Sequence, residues 1–348
     1  MLNTPNGDGP TLLRWETLTK KKFDQLDKSR CIVLVTCSPL EVHGPHLPFG
    51  ADILEGQGLA QRSLQYLPEP HRSRIFLQLP PIYAATDTVP QSGSLFFRPS
   101  TTMAVLKDLG RSLAAQGFKD IVVSNFHGSP RHFVAIERAC DTVTRERNVR
   151  MVCLFSVLVS RLTKGTSELY DALGKLPGVD PEDLKGDTHG GLVETSQLLA
   201  LHPEWVERDY ASLPRRTVDI WLKEQGETVE KLDYSPQASL LEKAKAFLKI
   251  FRNFQGGVRY FRTETYSGAP GSASPELGER IMEVLGTHAA QAMVEILEGK
   301  LPSSEWHSPV WPQRFLFTNR FMVAELCYYR NILLNIARLH QSEPVRNS

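Results

Sequence analysis

Apolar residues in this chain gather in short unbroken runs. Each run is followed by a turn-rich stretch and then by a longer segment with apolar positions three and four apart. Residues 31–37 (CIVLVTC), 74–79 (RIFLQL), 119–125 (KDIVVSN) and 150–155 (RMVCLF) are such runs. Continuous apolarity over four to seven residues, bounded by Gly, Pro and polar residues, predicts strands buried on both faces. Between them, Ile53, Gly56, Gln57, Ala60 and Leu64 share a helical face that stops before Pro68 and Pro70. Leu106, Leu109, Gly110 and Leu113 share another, capped by Ser100 or Thr101 and ended by Gly117. Phe133, Ile136, Cys140 and Val143 share a third. Strand–helix alternation of this kind predicts an α/β fold, a three-layer αβα sandwich around a mostly parallel central sheet.

The remaining segments are read in the same way. Trp15, Leu18, Phe23 and Leu26 fit a short amphipathic helix, and residues 95–97 a short edge strand. Residues 163–188, polar and rich in Gly and Pro, read as a long loop or lid. Helices are expected at 192–201, 216–226 and 236–251, a strand at 258–262, a turn at 268–271, and a long helix from 275 to 299. Residues 301–312 form a linker. Met322, Leu326, Tyr329, Leu333 and Ile336 then recur in heptad-like spacing along a helix at 314–340, which must dock on its own domain or on another subunit. The expected organisation is a disordered N-terminus at 1–12, one catalytic domain at 13–300, and a linker with a helical extension at 301–348.

Composition narrows the function classes. With 348 residues, 41% hydrophobic and 23% charged, the chain can bury a sizeable core. Its net charge of +1 gives no reason to expect nucleic acid or a membrane surface as partner. No apolar run reaches the ~18 residues of a membrane span, and the N-terminus shows no signal-peptide pattern. Five cysteines, an odd number without a C-x-x-C pair, suit core positions in a reducing compartment. The reading is a cytoplasmic protein.

The chemistry concentrates after the run at 31–37. Glu41, His43, His46 and Asp52 lie within twelve residues, separated by two glycines and two prolines, so they occupy an irregular loop. Glu41 and His43 alternate, which sends both to one side of an extended segment. Each also has a plain structural reading; Asp52 and Glu194, for example, suit the first turn of a helix. Taken together with His127 after the run at 119–125 and with His189 and Glu194 near residue 190, three crossings present His or carboxylate groups at one sheet edge, where open α/β sheets place their sites. A mixed His/Glu/Asp set without thiolates suits Zn²⁺ or Mn²⁺ in a hydrolytic site, and a central carboxylate can bridge two ions.

The stretch Glu41-Val42-His43-Gly44-Pro45-His46-Leu47-Pro48, with Asp52 four residues on, resembles the E-x-H-G-x-H-L-P-x-x-T-D signature of the creatininase (creatinine amidohydrolase) family. Asn125-Phe126-His127-Gly128 resembles its N-G-H-G segment. Residues 187–196, DTHGGLVETS, resemble its D-x-H-A-G-x-x-E-T-S segment. The resemblance covers roughly residues 15–300. It implies a creatininase-like domain with two divalent metal ions (Zn and/or Mn, with Fe an option) and hydrolysis of a cyclic amide or formamide by a metal-activated water. It also implies a small-molecule amide substrate and a homo-oligomer, often a hexamer. Carried over by position, Glu41, Asp52 and His127 hold one ion, and His43 and Asp52 the other. His189 is the proton shuttle. In creatininase a glutamate two residues after the third-strand histidine completes the second ion's shell. Ser129 stands there in this chain, and Glu194 is the substitute candidate for both ligation and proton transfer.

Other departures concern the substrate. Ala51 replaces a Thr, Phe126 and Ser129-Pro130 alter the second motif, and Leu192 replaces a glutamate common in the family. Asp87-Thr88 stands where the family has a Glu-His pair. No Trp occurs between Trp15 and Trp205, although creatininase uses tryptophans near its substrate. These changes point away from creatinine and toward a different small amide. Two other readings stay open on sequence: a catalytically reduced scaffold or regulatory subunit, and a lyase or cyclase using the same metals.

Overall fold

The structure, a computed structural model, describes residues 10–163, 175–227 and 255–318. Five parallel strands form one sheet: β1 (Thr11–Arg14), β2 (Cys31–Thr36), β3 (Ile75–Gln78), β4 (Asp120–Ser124) and β5 (Arg150–Cys153), in the order β1-β3-β2-β4-β5. Central strand β2 is buried along its whole length. Its alternate side chains explain the unbroken apolar run. Ile32 and Leu34 enter one core with Phe76, Val122 and Val152, while Cys31, Val33 and Val35 enter the other with Leu77, Ile121 and Val123.

Helices cover both faces. On the first lie α2 (Ala51–Gln65), α5 (Leu154–Thr163), α6 (Leu192–Leu201) and, after the short α7 (Val218–Glu224), the long α8 (Pro275–Leu297). On the second lie α3 (Pro99–Ala115) and α4 (Pro130–Arg147). This is the expected three-layer αβα sandwich. Loops leaving the adjacent strands β2 and β4 diverge to opposite faces, through α2 and α4, and open a crevice at the C-terminal edge of the sheet.

Several local expectations are corrected. The N-terminal disordered stretch does not extend to residue 12. Thr11–Arg14 pairs with Ile75–Gln78, and Leu12 and Leu13 pack into opposite cores. The helix expected around residues 15–26 shrinks to a 3₁₀ turn at Trp15–Thr17 and to α1 (Lys20–Asp24), capped by the Thr19 side chain. Its apolar residues still meet: the Trp15 and Phe23 rings lie 5.2 Å apart and both contact Phe118.

Helix α3 starts two to three residues earlier than a cap at Ser100 or Thr101 would place it. Pro99 takes its first position, where a missing N–H costs nothing, and neither Ser100 nor Thr101 is the cap. Residues 95–97 form no strand; the Leu95 and Phe97 N–H groups donate to the Leu40 and Ala85 carbonyls. Leu154 and Phe155 belong to α5 rather than to β5. The strand expected at 258–262 is helical and turn structure instead. Residues 255–260 are helical, and Phe261 and Glu264 N–H groups donate to Gly257 and Tyr260 carbonyls.

The linker at 301–312 contains 3₁₀ turns at Ser303–Glu305 and Trp311–Gln313 and leads into α9 (Arg314–Thr318). Outside the described residues lie the N-terminal nine, most of the first half of the expected loop or lid, the expected helix at 236–251, and the heptad-patterned helix beyond residue 318.

Candidate metal centre

Residues 37–50 carry β2 into α2, and their backbone is pinned from several sides. Glu41 N–H donates to the Phe49 carbonyl at 2.8 Å, Gly44 N–H to Thr265 at 2.7 Å, and Val42 N–H to the Ser94 hydroxyl at 3.1 Å. Gly44 has φ +72°, and a Cβ there would lie 2.7 Å from His46 Nδ1, so the tight turn between His43 and His46 requires glycine. The loop after β4 is tied to the same region. Ser38 Oγ donates to Asn125 Oδ1 at 3.1 Å, and Asn125 in turn bonds both the backbone N–H and the carbonyl of His127.

These supports bring together Glu41, His43, Asp52, His127, His189 and Glu194. His127 Nδ1 lies 3.1 Å from Glu41 Oε2 and 3.5 Å from Asp52 Oδ2. His43 Nε2 lies 3.4 Å from Asp52 Oδ1 and 3.9 Å from Glu194 Oε2. Asp52, in the first turn of α2, therefore offers one oxygen to each histidine. Two three-residue clusters result, Glu41–Asp52–His127 and His43–Asp52–Glu194, which share Asp52. A third, Glu41–His43–His189, overlaps both.

The outer hydrogen bonds set the tautomers. His43 Nδ1–H donates to the Glu41 carbonyl at 3.0 Å, and His127 Nε2–H donates to Thr86 at 3.0 Å. In the neutral ring, each leaves its other nitrogen as a lone pair aimed at the carboxylates. Glu41 Oε2, Asp52 Oδ2 and His43 Nε2 are buried without hydrogen-bond partners. Buried carboxylate oxygens and imidazole lone pairs converging without hydrogen-bond donors are what a cation site requires, and this ligand set suits Zn²⁺ or Mn²⁺.

The charges respond to one another. Burial pulls the His43 pKa down, but Asp52, Glu194 and Glu41 outweigh it and hold the ring at about 10. His127 is likewise raised well above the usual histidine range, by Glu41 and Asp52 against burial. Asp52 is buried, yet His43 and His127 hold it well below the usual carboxylate range. Burial raises Glu194 to about 7, with the His43 cation opposing and Asp52 assisting.

His189 packs against His43, ring centroids 4.0 Å apart and planes inclined at 30°, and its Nε2–H donates to the Val42 carbonyl at 2.7 Å. Burial and the His43 cation lower its pKa to about 4, leaving a neutral ring with a free Nδ1. Gly190 permits the approach: its φ is +56°, and a Cβ would lie 3.1 Å from the His43 carbonyl carbon. Its N–H donates to Glu194 Oε2. Asp187 accepts from Val193 N–H at 2.9 Å and so closes the start of α6, where Gly191 has no side chain to cap with.

His46 does not face the clusters; its Nε2 lies 2.8 Å from the Thr195 hydroxyl, joining the loop to α6. Ser129 is also turned aside: its hydroxyl donates to Asp87 Oδ2 at 2.6 Å, and Arg131 pairs with the same carboxylate.

Two residues escape a reading of the sequence. Glu55, one turn beyond Asp52, is fully buried with both carboxylate oxygens unpartnered, and burial with Glu194 and Asp52 raises its pKa well above the usual range. The three-residue spacing from Asp52, one helical turn, was the available signal. His132, also fully buried, donates from Nε2 to the Cys37 carbonyl at 3.0 Å and sets its ring edge-on to His127, 5.3 Å away.

Comparison with known proteins finds related sequences and a shared fold. The sequence model of the family described as Creatininase, creatinine amidohydrolase, matches residues 16–293. A creatinine amidohydrolase of Pseudomonas putida is 26% identical over 206 residues, 55% of this chain and 73% of that protein. Among solved structures, a creatinine amidohydrolase (creatininase) superimposes with a TM-score of 0.53 at 21% identity, covering 83% of this chain and 98% of its own. A creatininase described with Mn gives a TM-score of 0.52 at 20% identity over 82% and 98%. These likenesses establish the shared fold.

Proposed function

The chain belongs to the creatininase family, a family of metal-dependent amidohydrolases, and on that footing we propose that it hydrolyses a cyclic-amide or formamide C–N bond of a small molecule. The observation that carries the proposal is the pair of clusters sharing Asp52, with three partnerless buried ligand atoms between them. Glu41, Asp52 and His127 would hold one divalent ion, and His43, Asp52 and Glu194 the second. When bound, the ions supply Lewis acidity toward a carbonyl and a water.

The protein's own groups handle the protons. His189 is kept neutral, and its Nε2–H is committed to Val42, so Nδ1 is free to accept a proton from the attacking water. The leaving nitrogen must then receive a proton, and His189 is placed to return it. Glu194 titrates near neutrality when no ion is present, which makes it a ligand that exchanges its proton readily. Gly190 N–H fixes that carboxylate in place.

The test is metal analysis of the purified protein together with a panel of small cyclic amides and formamides. The expected result is divalent metal in the wild type and turnover of at least one panel member. Glu41→Ala and His127→Ala should lose both. A wild-type protein that binds no divalent ion, with both variants unchanged in activity, would overturn the reading.

A further inference from the structure

Beside the metal centre lies a cavity of about 300 Å³. Its walls come from α5, α6, α8 and the segment before His189, with Phe155, Leu158, Leu162, Val179, Leu192 and Ile281 among them. Among the described residues that line it, the side chains able to hydrogen-bond are Asp187, Thr188, His189 and Glu194, and they are contiguous with the site. Three of these are already engaged: Asp187 with Val193 N–H, His189 with the Val42 carbonyl, and Glu194 with Gly190 N–H. The cavity is therefore apolar over its length and polar at one end, and that end is the reacting end. Phe126 and Leu192, two departures from the family's motifs, both line it.

We propose that the substrate is an amphiphilic amide, with its scissile group between His189 and Glu194 and an apolar tail filling this cavity. The proposal rests on the amidohydrolase reading and specifies its substrate class. A cavity about twice the ~150 Å³ that accommodates benzene takes a tail on the order of eight carbons or a fused two-ring aromatic. Among the described residues, no side chain in the body of the cavity can pair with a polar tail, so a polar substituent of the same size is rejected by its desolvation. At about 0.8 kcal/mol per buried methylene, each added carbon should tighten binding about fourfold until the cavity is full.

The experiment uses N-alkylformamides from methyl to dodecyl with the full-length protein, metal-free and loaded with Mn²⁺ or Zn²⁺. Binding is measured by calorimetry on His189→Ala, and hydrolysis separately on the wild type by amine release. In that reaction water adds its oxygen to the formyl carbon, the C–N bond breaks, and the nitrogen takes a proton, giving formate and an alkylamine. Kd is expected to fall about fourfold per carbon to roughly eight carbons and then level. Val179→Trp should bring the plateau in by several carbons, and Leu158→Ala should extend it. Kd independent of chain length, or a plateau that neither variant moves, overturns the proposal whatever the turnover. Chain-dependent binding without hydrolysis keeps the cavity assignment and removes the amidohydrolase reading. Equal binding and hydrolysis of all chain lengths does the reverse.

Discussion

Ser129 donates its hydroxyl to Asp87 at 2.6 Å. That contact takes the residue at the family's missing acid out of the metal cluster and into a buried network with Arg131. Glu194, with an oxygen 3.9 Å from His43 Nε2, is the carboxylate that joins His43 and Asp52 in the second cluster. The expected outcome is a division of labour between the two positions. Ser129→Ala retains both ions, whereas Glu194→Gln loses one of two, because the amide cannot replace a charged ligand. Metal stoichiometry by mass spectrometry on dialysed protein checks this; loss of an ion in Ser129→Ala with none lost in Glu194→Gln contradicts it.

Metal binding should release protons. Without metal, His43 titrates at about 10 and His127 well above the usual range, so both rings are cationic at pH 7. Each must give up a proton before its inward nitrogen can ligate. Filling both positions therefore releases roughly two protons, plus a fraction from Glu194, which titrates at about 7. Apparent affinity rises with pH between 6 and 8, by about tenfold per unit for each proton displaced. Calorimetric titration in buffers of different ionisation enthalpy measures the number. No release at pH 7 means the rings are already neutral.

Much of this centre was legible because its chemistry is local. Glu41, His43 and Asp52 lie within twelve residues after a strand whose continuous apolarity announces burial on both faces. What escaped depends on distant packing. The side chain of Glu55 looks like an ordinary helix-surface acid until α2 is packed against α6, and the Ser129–Asp87 contact spans 42 residues. Strand β1 has only two apolar residues of its four, and its existence follows from pairing with β3 sixty residues on. The helical residues 255–260 read as a strand because Val258, Tyr260 and Phe261 suit one. Their neighbours Gly256 and Gly257 gave no warning of the turn that Tyr260 anchors with its hydroxyl on the Tyr266 carbonyl, 2.6 Å away.

Asp120 anchors the opposite end of the sheet. It is buried at the start of β4 and accepts from Arg74 at 2.5 Å and from Arg150 at 2.6 Å, joining β3, β4 and β5. Removing a buried partner leaves its mates unpaired, at a cost of ~3–5 kcal/mol when they are fully enclosed. Here the Arg150 side chain keeps 42% of its exposure, so Asp120→Ala should cost less, ~2–3 kcal/mol. Urea unfolding followed by circular dichroism measures it, and metal content should be unchanged because the residue lies far along the strand from the site. A loss within ~0.5 kcal/mol would show that solvent replaces the carboxylate.

Glu137 couples the segment after α8 to the body of the protein, and burying its ionised carboxylate should cost the fold stability. It is buried on α4, its Oε1 accepts from Ser308 N–H at 2.6 Å, and its Oε2 has no partner. Burial raises its pKa to about 7, against the lowering effect of the Ser308 hydrogen bonds. An acid whose folded pKa lies above its unfolded value binds more protons when folded. Stability therefore falls as pH rises from about 4.5, and the penalty is complete above about 7. Glu137→Gln keeps the acceptor for Ser308 and removes the titration. Relative to the variant, the wild type should lose melting temperature between pH 5 and pH 8, by the equivalent of ~2–3 kcal/mol. Thermal melts across that range, followed by circular dichroism on metal-free protein so that the metal centre contributes equally to both, provide the comparison; parallel curves for the two proteins would show that Glu137 is not the group that titrates.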